Sequence, residues 1–217
     1  MALNINGTTG ISGVDGSVSA PALTGTDSNT GITFPSADTI KFSTGGVERI
    51  SITNSGISGT GISSGGLEMV DQWRITSTFA FSSLTVMTSN WERVDTNGYG
   101  QLGTGMTESS GIFTFPSTGI YHIDFRASGS VANVTNHVGA IIRATTDGSN
   151  FSTAAAQYGG SPTANYNSGQ STQHIFDVTD TSTHKVSFAG EAGATVQYDG
   201  SSSISYTNVV FTKLGDT

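Results

Sequence analysis

The sequence contains no cysteine, so disulfides and thiolate metal sites are excluded. Positive charge is scarce as well. Lys and Arg number 8 in 217 residues against 16 Asp and Glu, for a formal net charge of −8. No basic cluster occurs along the chain, so nothing is available to neutralise phosphates, and nucleic acid is not an expected partner. An anionic membrane surface is disfavoured for the same reason. No run of 18 apolar residues is present to span a bilayer. The opening Met1-Ala-Leu-Asn-Ile-Asn6 has neither a charged nor an apolar signal region; the expectation is synthesis in a cytoplasm without a secretory leader. Helical periodicity is missing beyond a turn or two. P-loop, His-Glu-x-x-His and Gly-x-Ser-x-Gly motifs are absent, so no cofactor, metal or catalytic residue is expected.

Glycine, serine and threonine fill the space that charge leaves. Glycines number 29 and charged residues make up only 11% of the chain. This is the composition of a turn-rich all-β protein. Residues 1–66 stand apart. They are poor in aromatics and repeat a short phrase at irregular spacing: Thr9-Gly-Ile-Ser-Gly13, Ser55-Gly-Ile-Ser-Gly59 and Thr60-Gly-Ile-Ser-Ser64. One hairpin is legible there: Ile40 and Phe42 alternate with polar residues, Thr44-Gly45-Gly46 supplies a turn, and Val47, Ile50 and Ile52 follow. Two strands are marginal in water on their own. The segment is either a disordered linker or pairs with copies of itself; its regular alternation predicts the second, a trimerising β-rich stem.

Residues 67–217 carry short apolar runs at 8–12-residue spacing, separated by polar turns, which is the pattern of a β-sandwich. Trp73–Phe81, Leu84–Val94, His137–Arg143, Phe151–Tyr158, His174–Val178, His184–Ala189 and Tyr206–Leu214 read as strands, with Leu84–Val94 alternatively a covering loop. Gly159–Ser171 reads as a long polar loop. The stretch Ser110–Phe125 is the most informative. Two apolar runs are joined by Pro116-Ser-Thr-Gly119, a good turn because proline presets φ and glycine tolerates positive φ. In the second run Tyr121, Ile123 and Phe125 alternate with His122, Asp124 and Arg126, so one face of this strand is buried.

This Gly-Ile-Phe-Thr…Pro…Gly-Ile-Tyr…Phe signature resembles the two central strands of the trimeric jelly-roll heads of the complement and tumour-necrosis-factor superfamily. The ending Ser205-Tyr-Thr-Asn-Val-Val-Phe-Thr-Lys-Leu-Gly215 resembles that family's last strand. The match runs from about Trp73 to Leu214. Together with the Gly/Ser/Thr-rich segment before it, the wording is similar to the versions found in tail fibres and other virion appendages of bacteriophages. The resemblance implies an all-β homotrimer: an N-terminal stem (1–66) followed by a jelly-roll head (67–217). Val209, Val210 and Phe211 are consecutive, and so are Ile175 and Phe176. Both faces of these strands therefore carry apolar groups, and the expected trimer interface comprises Ile175, Phe176, Tyr206, Val209, Val210 and Phe211.

Chemistry is sparse. Asp177 and Asp180 share a turn, as the carboxylates of a glycosidase could, but a solvated hairpin turn explains them as well. His122 and Asp124 lie on one strand face, as metal ligands or a general base could, or as interface contacts. The loops are better candidates. Segments 132–137, 164–168 and 197–200 mix Tyr, Asn, Ser, Thr and Gly, a composition suited to recognition. The resemblance implies that all three lie at the apex, opposite both chain ends. The expected receptor-binding residues are Asn133, Asn136, His137, Asn165, Tyr166, Asn167, Tyr198 and Asp199; Tyr158 and Tyr166 could equally pack beneath a loop. The expected function is that of a non-enzymatic virion protein, a trimeric tail fibre or knob. It would bind a bacterial surface glycan or outer-membrane protein and join other virion proteins through residues 1–66. A capsid decoration protein and, more remotely, a polysaccharide depolymerase are the rivals.

Overall fold

The computed structural model describes residues 4–6, 10–12, 15–60, 62, 67–131, 135–161 and 166–217, with the side chains of 4–6, 10–12, 136 and 161 left aside. The chain divides into two compact units, Met1–Gly66 and Leu67–Thr217. All described regular structure is β.

The first unit opens with two small hairpins, β1 (Asn4–Asn6) with β2 (Gly10–Ser12), and β3 (Gly16–Ser17) with β4 (Ala20–Pro21). A five-stranded antiparallel meander follows: β5 (Leu23–Thr24), β6 (Gly31–Thr33), β7 (Ile40–Thr44), β8 (Val47–Thr53) and β9 (Gly56–Ser58). Gly45 and Gly46 close the β7–β8 hairpin, both with positive φ (60° and 73°), the conformation a two-residue turn demands. Register places Leu23, Ile32, Phe42 and Ile50 in one cross-strand row and Ile40, Ile52 and Ile57 in the next. Residues opposite one another point the same way, so these seven apolar side chains share one face. That face is open: Leu23, Ile40 and Ile57 are exposed. The buried residues of the meander are Thr33, Ser43 and Ser51, on the other face. The sheet thus covers its small polar groups and leaves its apolar row uncovered.

The second unit is a sandwich of two antiparallel sheets. Its strands are β10 (Met69–Ile75), β11 (Phe79–Phe81), β12 (Thr85–Val86), β13 (Trp91–Arg93), β14 (Thr107–Ser109), β15 (Ile112–Thr114), β16 (Gly119–Val131), β17 (Thr135–Thr145), β18 (Ser152–Ser161), β19 (Tyr166–Val178), β20 (Lys185–Ala192), β21 (Val196–Tyr198) and β22 (Asn208–Gly215). One sheet has the central order β10-β22-β16-β19, with β13 outside β10. The other has the order β15-β20-β17-β18, with β14 outside β15. The chain passes from one sheet to the other in the jelly-roll manner. The Pro116–Gly119 turn is one such passage. It does not close a hairpin, because β15 pairs with β20 while β16 pairs with β19 and β22.

The alternation of β16 decides its orientation. Tyr121, Ile123, Phe125 and Val131 are fully buried between the sheets. Phe125, Phe188, Phe211 and Phe113 interlock there, with Phe125 and Phe188 rings 4.9 Å apart and Phe113 and Phe188 rings 5.3 Å apart. Val209, Phe211 and Phe176 belong to this same core, with exposures of 0%, 0% and 8%. These three are therefore not interface residues. In a strand, consecutive side chains face opposite ways, so each apolar run splits between core and surface. Ile175, Val210 and Tyr206 are the members left on the outside.

Strand β10, next to the edge strand β13, buries a charge on each of its two faces. Asp71 on β10 is fully buried. Its Oδ1 accepts from Arg93 Nε (2.9 Å) and the Tyr99 hydroxyl (2.8 Å), and its Oδ2 from Trp73 Nε1 (2.9 Å), Arg93 Nη2 (3.2 Å) and Met106 N (2.8 Å). Burial, reinforced by Asp71, pushes the Tyr99 hydroxyl up to about 12. Arg74, also fully buried, donates to Glu92 (3.0 Å from Nε), Asp95 (2.8 Å), Thr96 (2.8 Å) and the Ser202 carbonyl. Both groups meet the condition under which buried charge is tolerated, a full set of partners.

Candidate functional site

Strand register fixes where the connections lie. Met69 pairs with Lys213, and Lys213 with Tyr121. The head's entry and exit therefore share the end at which β16 begins. At the far end of β16, Val131 pairs with Tyr166 of β19 and Val196 of β21, while Thr135 of β17 pairs with Ser161 of β18. The end of β16, the start of β17, the end of β18 and the start of β19 consequently lie together at that end. The β20–β21 turn joins them, with Gly193 N donating to the His137 carbonyl (3.3 Å). Four strand ends and the Gly193–Thr195 turn thus gather at the apex.

The expected receptor residues fall into three groups. Asn133 and Asn165 lie outside the described residues, as does the side chain of Asn136. Tyr166 (61% exposed) and Asn167 stand on the apical start of β19, and His137, half-buried, on the apical start of β17. Tyr198 and Asp199 are placed elsewhere. Asp199 N donates to the Ser128 carbonyl (2.8 Å), so segment 197–200 descends beside β16, and Gly193–Thr195 is the apical turn. Tyr198 is fully buried. Its ring packs on Phe81 (4.7 Å between centroids) and its hydroxyl donates to the Gly139 carbonyl (2.8 Å), crossing from one sheet to the other. Burial pushes that hydroxyl's pKa far up. It holds the apex together and has no surface to offer a receptor.

On the outer side of the second sheet, three strands bring together residues that the sequence leaves far apart. Gly139 of β17 pairs with Tyr158 of β18 on one side and Glu191 of β20 on the other. The Tyr158 ring reaches over Gly139, where a β-carbon would lie 2.5 Å from its Cε1 and 2.6 Å from its Cδ1. Only glycine permits that approach. The Tyr158 hydroxyl donates to Glu191 Oε2 (2.6 Å), a bond that raises the hydroxyl's pKa. The His137 ring stands edge-on to Tyr158, centroids 6.0 Å apart. Tyr158 remains 46% exposed. Sequence reasoning missed Glu191 altogether and placed Tyr158 only as packing. No local signal marks the trio, because it depends on register across three strands.

The outer face of the first sheet is the second candidate surface. Asp124 pairs with Arg126 (2.7 and 3.1 Å), not with His122. Asp124 is 8% exposed, and its Oδ1 has no hydrogen-bond partner. Half-buried Val210 stands opposite it on β22, and Ile175 (55% exposed) lies opposite neighbouring His122 on β19. A shallow groove of about 400 Å³ runs past Arg126, Ser171, Tyr206 and Asn208. Burial lowers the pKa of nearby His174, which faces inward against Phe176. Asp180 caps its own turn by accepting from Ser182 N and Oγ (2.8 and 2.7 Å), bonds that lower its pKa. Among the described residues no group of three potential metal ligands occurs.

No family model and no curated relative matches the chain. Solved structures do. Murine APRIL at pH 5.0 is 17% identical, with 67% of this chain and 98% of that one covered at a TM-score of 0.49. Eiger TNF from S. frugiperda is 12% identical, with 70% and 96% covered and the same TM-score. The jelly-roll assignment rests on the strand order and register of the head itself.

Proposed function

We propose that the chain is a homotrimeric virion appendage protein, a bacteriophage tail fibre or knob, whose head binds a bacterial surface receptor. The observation that carries the reading is the gathering of Thr135, His137, Tyr166, Asn167 and the Gly193–Thr195 turn at the end of the head opposite its entry at Met69 and exit at Gly215. The sequence resemblance of Ser110–Phe125 and Ser205–Gly215 supplies the virion context. Two uncovered surfaces support self-association. In the first unit seven apolar side chains line one sheet face. In the head, the outer face of the first sheet carries Ile175, Val210 and Tyr206 together with a carboxylate oxygen without a donor. A neighbouring copy covers apolar surface and supplies a donor, and both changes favour association. Weak receptor contacts repeated threefold then add as avidity. Residues 1–66 join the other virion proteins.

Two measurements test this. Light scattering after size exclusion is expected to give three chains per particle; a stable monomer removes the interface argument. Pre-incubating host cells with the purified protein is expected to reduce phage adsorption in a saturable way. A folded trimer that blocks nothing transfers the assignment to a capsid decoration protein, a role that needs self-association but no receptor.

A further inference from the structure

The trio on the outer side of the second sheet has the properties of a binding platform. Its ring is fixed on both sides, by the Gly139 backbone beneath it and by the bond from its hydroxyl to Glu191. Gly139 is itself held from within by Tyr198. An aromatic group so restrained loses little side-chain entropy on binding. Nearly half of Tyr158 still faces solvent. Beside it, Glu191 accepts the tyrosine hydroxyl through Oε2, one of its two carboxylate oxygens. His137 borders the ring on the apical side.

We propose that Tyr158, Glu191 and His137 form an open platform for an uncharged pyranose of a surface polysaccharide. This assignment names the ligand of the receptor-binding head proposed above and rests on that reading. The electron-rich face of an aromatic ring attracts the polarised C–H groups on one side of a sugar ring. A carboxylate oxygen at the ring's edge accepts from sugar hydroxyls in charge-assisted bonds. The same carboxylate, in a chain of net charge −8, repels uronic and sialic acids. The platform is open, so it suits a residue within a long polymer, and each contact is weak.

Saturation-transfer NMR on the full-length protein tests the proposal, with methyl β-D-glucopyranoside, methyl β-D-galactopyranoside and methyl α-D-mannopyranoside as probes and methyl β-D-glucuronide as the charged control. Transfer to the C–H face of at least one neutral glycoside is expected, with none to the glucuronide. Tyr158→Ala is expected to weaken the signal about tenfold, the loss of one stacking contact. Glu191→Ala keeps the ring and is expected to lose the hydroxyl contacts; it also serves if Tyr158→Ala fails to fold. No transfer from any neutral probe, equal transfer to the glucuronide, or undiminished transfer to both variants overturns the platform. Adsorption competition separates this failure from that of the receptor reading. If wild type and Tyr158→Ala block adsorption equally, the receptor function stands and the platform falls. If sugars bind through Tyr158 but wild type blocks nothing, the platform stands and the attachment role falls.

Discussion

Phe125→Asp yields no folded head. The Phe125 ring is fully buried against Phe188 at 4.9 Å between centroids, on the strand that both β19 and β22 pair with. Removing such a ring costs about 3–5 kcal/mol through lost burial and the cavity left behind. The carboxylate that replaces it finds no donor among the surrounding phenylalanines, and an unpaired buried charge adds several kcal/mol more. The sum reaches the total stability of an ordinary domain, about 5–15 kcal/mol. Near-ultraviolet circular dichroism reports the loss directly, because the core is aromatic. The same charge at exposed Ser171, on the outer face opposite Arg126, leaves the fold intact. A folded Phe125→Asp protein reverses the assignment of the inward face.

Asp71→Ala is the second severe change. It leaves the Trp73 indole, the Tyr99 hydroxyl and the Met106 amide without their acceptor and strips Arg93 of its carboxylate. Breaking a buried charge pair from one side costs about 3–5 kcal/mol, and chemical denaturation measures it. Asp71→Asn preserves shape and one acceptor oxygen, and the loss is expected to be smaller. If alanine proves harmless, the network contributes nothing to stability. The cluster left a trace in the sequence: a chain with so few charges concentrates Asp71, Arg74, Glu92, Arg93 and Asp95 in one short stretch. Their mutual pairing was not legible, because Arg74 reaches Ser202 far along the chain.

The same division between local and distant information runs through the fold. Strand β16 is readable because Tyr121, Ile123 and Phe125 alternate with polar residues. The first half of β19 is not, and Gly159–Ser171, expected as one loop, is strand apart from its undescribed centre. The inward positions there are Ser168, Gln170 and Thr172, so neither face stands out as apolar. In Val209-Val210-Phe211 the two faces carry similar residues, so no pattern tells core from surface. The apical position of Thr135, His137, Tyr166 and Asn167 follows from strand order. Tyr198 was misread because tyrosine suits both a recognition loop and a core, and only the Gly139 carbonyl across the sandwich decides.

Strand β16 meets two different neighbours along one edge, β22 against Ile120–Arg126 and β21 against Gly129–Val131. The sheet therefore forks. The head's entry at Met69 and its exit at Gly215 both lie on the lower branch, through β10 and β22. The apex rests on the upper branch, through β21 and β11, pinned by Tyr198. Such a split makes the tip interchangeable. Apical residues can change in number or composition while the lower branch keeps its register, so the tip and the base of the head can vary independently.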